Sequence, residues 1–262
     1  MVGAVLINGG KSTADIEAHL KQTIPMKEPL VVFEPMNHLV FASPRTTVPA
    51  LCLAACEFVG GQRHQAMAAA SALLLLQAAT YTHEHLPLTD KPRPMLEPEP
   101  EPMIPRAFSP DIHLMTGDGI VPFGFELLAR SDDPAQGNSE RILRVIIEIS
   151  RSVGSVGVID AQYRKTQSDG RECRHVESIK RVVEKNEGGL HACGAACGAV
   201  LGSGSEEDIE RLRKYGFYVG MIQGMLLNGL REEVEEARNL ALIELQFFKD
   251  RDIDAISSFI NV

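Results

Sequence analysis

The sequence predicts an all-α protein, and three observations support this fold class. None of the 15 prolines lies beyond Pro134 in the 262-residue chain, which is typical of packed helices rather than of loop-rich β structure. The alternating apolar pattern of a half-buried strand is nearly absent. The stretch from Arg63 to Glu84 is apolar on all sides, as expected of a helix at the centre of a bundle. We therefore expect a single domain over residues 1–262, with about ten or more helices.

The N-terminal part predicts two helices separated by an irregular segment. Thr13 is a typical N-cap for a short amphipathic helix that ends near Thr23. Five prolines between positions 25 and 49 then predict an irregular lead-in. The segment 48–58 is predicted to be helical, with Pro49 in its first turn and Gly60-Gly61 at its end.

The long apolar helix contains the only stretch that suggests a membrane span. Residues 65–82 carry no charge, but they include Gln, Ser, Thr and Tyr and are rich in Ala. Because alanine contributes little to insertion into a bilayer, a buried core helix is the better interpretation.

A proline-rich segment divides the chain near its middle. Eight prolines lie between Pro87 and Pro110, so residues 86–110 predict a mobile, polyproline-like loop. Helices are predicted to resume near Leu114 and to continue through Arg130. The remaining predicted helices are a segment capped by Asn138 that runs past Gly154, His175 to Leu201, Ser205 to Asn228 with a Ser205/Asp208 capping box, a charged helix over 231–248, and a short last helix.

Charge and cysteine content narrow the functional classes. The chain has 35 Asp and Glu against 26 Lys and Arg, a net charge of −9, which argues against nucleic acid or an anionic membrane as the main partner. Five cysteines do not form the framework of a small secreted disulfide protein, so a reducing compartment is expected. No cleavable signal peptide is visible, and any targeting segment is expected to have been removed.

Three short motifs are better explained as structural features than as ligand-binding or metal-binding sites. The GGKST sequence at 9–13 lacks the first glycine of a phosphate-binding loop, because Val5 occupies that position. His83 and His85 point to different faces of a helix and do not converge on one metal. Asp132-Asp133 lies beside Pro and Gly and is predicted to be a surface turn.

Four cysteines form two CxxxC segments, Cys52/Cys56 and Cys193/Cys197. On a helix each pair shares one face. Zinc sites usually use CxxC spacing, and none is present. Because these cysteines lie among Ala and Gly, a surface for close helix packing or for a partner is favoured, with metal or redox chemistry as the alternative.

Four segments together resemble the trans-isoprenyl diphosphate synthases, in family order and spacing: 51–61, 82–90, 115–129 and 195–216. The resemblance covers nearly all of residues 45–230. It implies an all-α, isoprenoid-synthase-type helical bundle around a central cavity. Positions that match family landmarks are Gly60-Gly61, Gly117-Asp118, Ala161-Gln162 and Lys185.

The two metal-binding motifs of that family are degenerate here. The family ionises an allylic diphosphate, and Mg²⁺ held by two Asp-rich motifs neutralises the leaving group. The first motif matches Glu84, His85 and Asp90, so one Asp remains. The second matches Leu227, Asn228 and Arg231, where no carboxylate remains.

The isopentenyl-diphosphate site implied by the resemblance is degenerate as well. A Lys-Arg pair of the family aligns with Arg45-Thr46, and a phosphate-binding His becomes Gln77. The lysine-bearing segment that follows the second motif in the family is missing. We therefore expect no catalytic residue and no metal or cofactor bound by this chain, and little or no prenyltransferase activity from it alone.

This pattern resembles the non-catalytic small subunits of plant heteromeric geranyl diphosphate synthases. The resemblance implies a catalytic large subunit similar to geranylgeranyl diphosphate synthase, in a heterodimer or a dimer of heterodimers. The complex would bind Mg²⁺ in its catalytic subunit and join dimethylallyl and isopentenyl diphosphates to the C10 product for monoterpene biosynthesis in the plastid stroma. In that family the CxxxC cysteines are associated with the subunit interface.

Two other interpretations stay open at this point. The first is a weakly active stand-alone synthase that uses Glu84 and Asp90, and the second is a helical scaffold without prenyl chemistry. The proline-rich loop is either a contact element for the partner or an insertion over a disused site.

Overall fold

The structure, a computed structural model, describes residues 10–86, 108–167 and 176–261, and every regular element in these ranges is helical. Asp90 and most of the proline-rich segment lie outside the described residues. The α-helices are α1 Gly10–Thr23, α2 Leu30–Ala42, α3 Val48–Phe58, α4 Arg63–Glu84, α5 Pro110–Arg130, α6 Ser139–Val153, α7 Val158–Gln167, α8 Val176–Val183, α9 Gly189–Leu201, α10 Glu206–Leu227, α11 Val234–Gln246 and α12 Asp254–Ser257.

Helix α4 lies at the centre of the helices. Leu73, Leu74, Leu75 and Leu76 follow one another around it and are all buried, so the prediction of a helix that is apolar on all sides is confirmed. Helix α4 packs mainly against α5 and α3. No helix within the described residues has the length and apolarity needed to cross a bilayer.

Helices α3 and α9 approach each other at backbone contact. Gly194 and Gly198 on α9, and Gly202 at its C-cap, recur every four residues and face α3. A Cβ atom on Gly198 would lie 2.0 Å from the backbone oxygen of Cys52. Only a residue without a side chain fits this contact, so the glycines set the distance between the two helices.

A second row of glycines brings α10 against the start of α9. Gly216, Gly220 and Gly224 lie on one face of α10, and a Cβ on Gly220 would lie 2.2 Å from the backbone oxygen of Glu187. Glu187 belongs to a π-helical turn, Glu184–Gly188, between α8 and α9. A π turn is a local irregularity that is frequent at functional sites.

Two predictions near the N-terminus are wrong. Thr13 lies within α1 rather than at its cap. Residues 30–42 form a helix instead of an irregular lead-in, although Pro35 stands inside it. Burial of Pro35, Leu39 and Val40 stabilises the helix despite the backbone hydrogen bond that proline removes.

The segment after Asn138 also differs from the prediction. Helix α6 ends at Val153 with Gly154 at its C-cap, and a separate helix, α7, follows. Asn138 occupies the N-cap position, but its side chain does not cap the helix. Its amide instead accepts a bond from the Asp133 N–H at 2.8 Å and donates to the Ser131 carbonyl at 3.1 Å, so it fixes the preceding turn.

The start of α10 agrees with its sequence signature. Ser205 Oγ accepts a hydrogen bond from the Asp208 N–H at 3.1 Å, and the Asp208 carboxylate accepts one from the Ser205 N–H at 3.0 Å. This reciprocal pair is the predicted capping box, which satisfies two otherwise unpaired donors at the helix start.

Candidate functional site

Glu84 and His85 of the first degenerate motif lie at the C-terminal end of α4, where their side chains are paired with protein groups. The side-chain amide of Gln162, on α7, donates a hydrogen bond to Glu84 Oε1. His85 stacks on Tyr81, with ring centroids 3.9 Å apart, and its Nδ1 donates to the Tyr81 carbonyl at 2.8 Å. Burial, followed by the nearby Glu84 carboxylate, raises the pKa of Tyr81. The pairing with Gln162 therefore joins α4 to α7 at this end.

His83 joins the same end of α4 to α5. Its Nε2 lies 3.3 Å from Asp118 Oδ1 and 3.4 Å from the Leu114 carbonyl. A Cβ on Gly117 would lie 2.5 Å from His83 Nε2, so the glycine makes room for the imidazole. The Gly117-Asp118 pair is therefore in contact with the His83 side chain of the same chain.

The second degenerate motif lies at the end of α10. Leu227 is 67% exposed, and the Asn228 amide donates to the Gly224 carbonyl at 2.8 Å. Arg231 begins a short 3₁₀ turn and is exposed. Hard divalent cations bind mainly carboxylate oxygens in proteins, and these three positions offer no carboxylate.

The described donor set does not fit a Mg²⁺ cluster. Across residues 10–86, 108–167 and 176–261, no three His, Cys, Asp or Glu side chains are grouped so as to hold a metal ion. Lys185, a landmark position of the resemblance, is exposed within the π turn. Asp133 lies in the predicted surface turn, where its carboxylate accepts a bond from the Ala135 N–H at 3.0 Å.

The Arg45 guanidinium forms its hydrogen bonds and its ion pair with groups of its own chain. Its guanidinium donates to the carbonyls of Val40, Phe41 and Ser43 at 3.0–3.2 Å, near the C-terminal end of α2. Its Nε lies 2.7 Å from Glu17 Oε1. Each guanidinium nitrogen thus has a protein partner, and the side chain closes the end of α2.

Thr46 and Gln77, two positions of the degenerate isopentenyl-diphosphate site, lie side by side. Thr46 Oγ1 donates to Gln77 Oε1 at 2.6 Å, which links the start of α3 to α4. The next residue, Thr47, lies 2.9 Å from His191 Nε2 and 2.7 Å from the Gln223 side chain. This second network joins α3, α9 and α10, and the sequence analysis missed it.

The tautomer of His191 follows from its partners. Its Nδ1 lies 2.7 Å from the Glu187 carbonyl, which only accepts, so Nδ1 carries the proton. Burial lowers the pKa of His191 to about 4, and the ring is neutral near pH 7. The Thr47 hydroxyl therefore donates to Nε2.

This tautomer also orients the amide of Gln223. With the amide oxygen of Gln223 towards Thr47, the buried Gln223 Nε2 finds no hydrogen-bond partner among the described residues. Exchanging the amide oxygen and nitrogen of Gln223 directs an N–H at Thr47 Oγ1. Thr47 then donates once and accepts once, and the network is consistent.

The four CxxxC cysteines lie inside the chain, between α3 and α9. At most 3% of any of these side chains is exposed, and Cys193 Sγ lies 3.8 Å from Cys197 Sγ. Burial raises the pKa of Cys56 to about 11, and the pKa of Cys52 is raised as well, chiefly by burial.

The association of these cysteines with the subunit interface, which the resemblance implies, leaves open whether they contact the partner directly, and their burial within this chain does not provide such a contact. Their small neighbours do mark a surface for close helix packing, but the helix that packs there belongs to the same chain. An effect of the cysteines on assembly would act through the packing of α3 on α9 and stays a prediction.

A surface that the sequence analysis missed lies on α6 and α7. Ile147 and Val156 line one pocket of about 450 Å³, and the surface continues along one side of α7. We call this the α6–α7 surface. Its five large apolar side chains, each between 42% and 67% exposed, are Leu143, Ile147, Val156, Ile159 and Tyr163.

A signal for this surface exists in the sequence of α6. Ile142, Val145 and Ile149 face the core and complete the buried stripe of an amphipathic helix. Leu143 and Ile147 are additional apolar residues four apart on another face. Several large apolar side chains exposed on neighbouring elements are typical of an interaction surface.

The fold defines the class of protein first. A solved FPP/GFPP synthase from Zymomonas mobilis superposes with a TM-score of 0.77 at 17% identity, covering 96% of this chain and 94% of that one. At this identity the likeness establishes the isoprenoid-synthase fold, as the sequence predicted.

Closer relatives define the family. The small subunit 2 of a heterodimeric geranylgeranyl pyrophosphate synthase from Cannabis sativa, named chloroplastic, is 49% identical over 259 residues, covering 95% of this chain and 88% of the relative. The solved geranyl diphosphate synthase small subunit from Antirrhinum majus is 47% identical with a TM-score of 0.87, covering 97% and 98% of the two chains. The chain belongs to the small subunits of heteromeric prenyl diphosphate synthases, within the trans-isoprenyl diphosphate synthase family.

Two further matches concern assemblies. A heterotetrameric geranyl pyrophosphate synthase from mint, solved with ligands, matches with a TM-score of 0.80 at 42% identity, covering 97% of this chain and 98% of that one. A heterodimeric synthase large subunit 1 from Arabidopsis thaliana is 30% identical over 205 residues, covering 78% of this chain and 54% of the relative. No family model matches the chain.

Proposed function

We propose that this chain is a non-catalytic, regulatory subunit that binds a catalytic prenyl diphosphate synthase in the plastid stroma. The partner binds Mg²⁺ and both C5 diphosphates and carries out the chemistry. One observation carries the proposal. The fold of the synthases is retained, while the positions of the second Asp-rich motif are Leu227, Asn228 and Arg231.

The α6–α7 surface supports the association step. A stable protein complex needs a contact with an apolar centre that covers on the order of 800 Å² on each partner. Five exposed apolar side chains on adjacent elements provide such a centre. Its proposed occupant is the large subunit, which resembles this chain in fold.

The proposed product is the C10 diphosphate. The subunit stabilises the active conformation of its partner and favours release of the first condensation product. A difference of about 1.4 kcal/mol between release and further elongation changes their ratio tenfold. The Cannabis sativa relative is named for the C20 product, which makes C20 synthesis the second candidate.

The test has two arms. The chain alone, with Mg²⁺ and the two C5 diphosphates, is expected to give no turnover, and sustained turnover would refute the non-catalytic assignment. Mixed with the catalytic large subunit, it is expected to raise C10 output several-fold. An unchanged product spectrum would remove the regulatory role, and C20 output alone would favour the second candidate.

A surface variant tests where the partner binds. Ile147→Glu places a charge in the centre of the α6–α7 surface. It is expected to weaken binding to the large subunit at least tenfold, measured by co-elution. Val31→Glu alters another exposed apolar side chain, on α2, and serves as the matched control. Equal binding by the two variants would exclude the α6–α7 surface as the contact.

A further inference from the structure

The pocket in the α6–α7 surface combines apolar walls with a positive charge. It has a volume of about 450 Å³, and we call its five lining residues the Arg151 socket: Ile147, Ser150, Arg151, Ser155 and Val156. Ile147 and Val156 supply apolar contact, the two serines supply hydroxyls, and Arg151, in the last turn of α6, supplies the charge. The apolar surface alone does not account for this charge.

Arg151 differs from Arg144, two turns earlier on α6, in its lack of a partner. Both terminal nitrogens of Arg144 donate to the Glu206 carboxylate, at 2.6 and 2.8 Å. Arg151 is exposed and forms no hydrogen bond or ion pair with any residue that the structure describes. The nearest acidic residue of α6 in sequence, Glu148, is bound by both terminal nitrogens of Arg213. The guanidinium of Arg151 is thus available to a group from outside the chain.

The turn between α6 and α7 holds the socket in a fixed shape. The Gly157 N–H donates to the Gly154 carbonyl at 3.1 Å, and a Cβ on Gly157 would lie 1.8 Å from the backbone oxygen of Ser152. The turn therefore packs directly on the end of α6 and presents Val156, which is 67% exposed. A preformed pocket loses little conformational entropy when a partner enters it.

The chemistry of the socket fits an acidic side chain beside an apolar one. A guanidinium binds a carboxylate through two parallel hydrogen bonds. Apolar atoms of a partner that cover Ile147 and Val156 exclude water from this ion pair and strengthen it. The chain carries a net charge of −9, so an acidic segment is repelled by most of its surface and attracted at this point.

We infer that the Arg151 socket receives an Asp or Glu side chain of the catalytic large subunit, next to an apolar residue, and so fixes the orientation of the two subunits. The inference rests on the proposed function, because the large subunit is the proposed occupant of the α6–α7 surface. It names the chemical feature of the large subunit that this chain recognises.

The first experiment compares the affinities of variants for the catalytic large subunit by titration calorimetry, with urea unfolding to verify that each variant is folded. Arg151→Glu is expected to weaken binding at least about tenfold, because repulsion replaces attraction. Arg151→Met keeps the apolar stem without the charge and is expected to bind at least about fivefold more weakly. Arg181→Glu changes another exposed arginine in the last turn of a helix, α8, and is expected to bind like the wild-type chain.

The outcomes separate the inference from the proposed function. Wild-type affinity in Arg151→Glu or in Arg151→Met overturns the inference, and so does an equal loss in Arg181→Glu. If Ile147→Glu still weakens binding in that case, the large subunit occupies the α6–α7 surface and the proposed function stands. If the wild-type chain does not bind the large subunit, the proposed function and the inference both fail.

A zero-length cross-link identifies the group that enters the socket. Arg151→Lys keeps the positive charge, and a water-soluble carbodiimide joins the introduced amine to a carboxylate in contact with it. An amide bond forms, and one carboxylate oxygen leaves with the carbodiimide as a urea. Mass spectrometry of the complex is expected to find this amide between position 151 and an Asp or Glu of the large subunit. Absence of the amide, or an equal yield from an Arg181→Lys control, overturns the inference.

Discussion

At the scale of single residues, the closest contact between helices depends on a missing side chain. Gly198 of α9 lies against the backbone of α3, and a Cβ atom there would approach the Cys52 oxygen to 2.0 Å. A backbone oxygen cannot rotate away as the end of a flexible side chain can. An added methyl group therefore has to separate the two helices.

Gly198→Ala is expected to lower the free energy of unfolding by about 2 kcal/mol or more, the usual scale of overpacking in a core. Gly119→Ala, on α5, is the matched control, because nothing lies within 4 Å of its Cβ position. The control is expected to be neutral or to gain up to about 1 kcal/mol from helix propensity. Urea unfolding measures both variants, and equal stabilities would contradict the close approach of α3 and α9.

The buried cysteines give the second prediction at this scale. Burial raises the pKa of Cys56 to about 11, and thiol reagents attack the thiolate. A shift of two units alone lowers the thiolate fraction about 100-fold. Cys56 is therefore expected to be alkylated at least about 100-fold more slowly in the native chain than in urea, and burial is expected to slow the alkylation of Cys52, Cys193 and Cys197 as well.

Mass spectrometry of the alkylated peptides measures each thiol separately. Fast labelling of any of the four in the native chain would place that thiol at the surface. Direct contact with a partner would then be restored as an explanation for the CxxxC pattern.

At the scale of elements, the helices with strong local signals could be predicted from the sequence. The capping box at Ser205 and the all-apolar run in α4 both act within one or two turns. Helix α2 could not be predicted, because its prolines indicate a break. Only the burial of Leu39 and Val40 against other elements stabilises the helix.

The same difference between local patterns and contacts over long sequence distances applies to the candidate site. Loss of carboxylates from the second motif could be predicted from the sequence, since the motif is a short linear pattern. The network of Thr47, His191 and Gln223 could not, because Thr47 is separated from its partners by 144 and 176 positions. The inward location of the cysteines could not be predicted either. A small-residue stripe is the same whether the opposing helix belongs to this chain or to another.

At the scale of the whole molecule, buried titratable groups limit the pH range in which the folded chain is most stable. On the alkaline side, burial holds the pKa of Cys56 and of Tyr215 above their ordinary values. A raised pKa in the folded state contributes stability that is complete below the unfolded value and is lost as the pH rises through the folded value. Ionisation of Cys56 therefore reduces stability between about pH 9 and pH 11.

On the acid side, His191 is the dominant buried base. Its folded pKa of about 4 lies below the ordinary value of 6.5. Stability is therefore complete above pH 6.5 and is lost as the pH falls towards 4, because the unfolded chain binds the proton first. Between pH 7 and pH 5 this amounts to about 2 kcal/mol, above the range where carboxylates titrate.

His191→Gln tests this assignment. Glutamine can still donate to the Glu187 carbonyl and accept from Thr47, but it does not titrate. Urea unfolding at pH 7 and at pH 5 is expected to show a difference about 2 kcal/mol smaller in the variant than in the wild-type chain. Exposed His64→Gln is the control and should leave the difference unchanged. His19 and His113, whose pKa values burial also lowers, remain in both variants and add the same background. If His191→Gln keeps the full difference, the acid sensitivity belongs to other groups and the neutral tautomer of His191 loses its support.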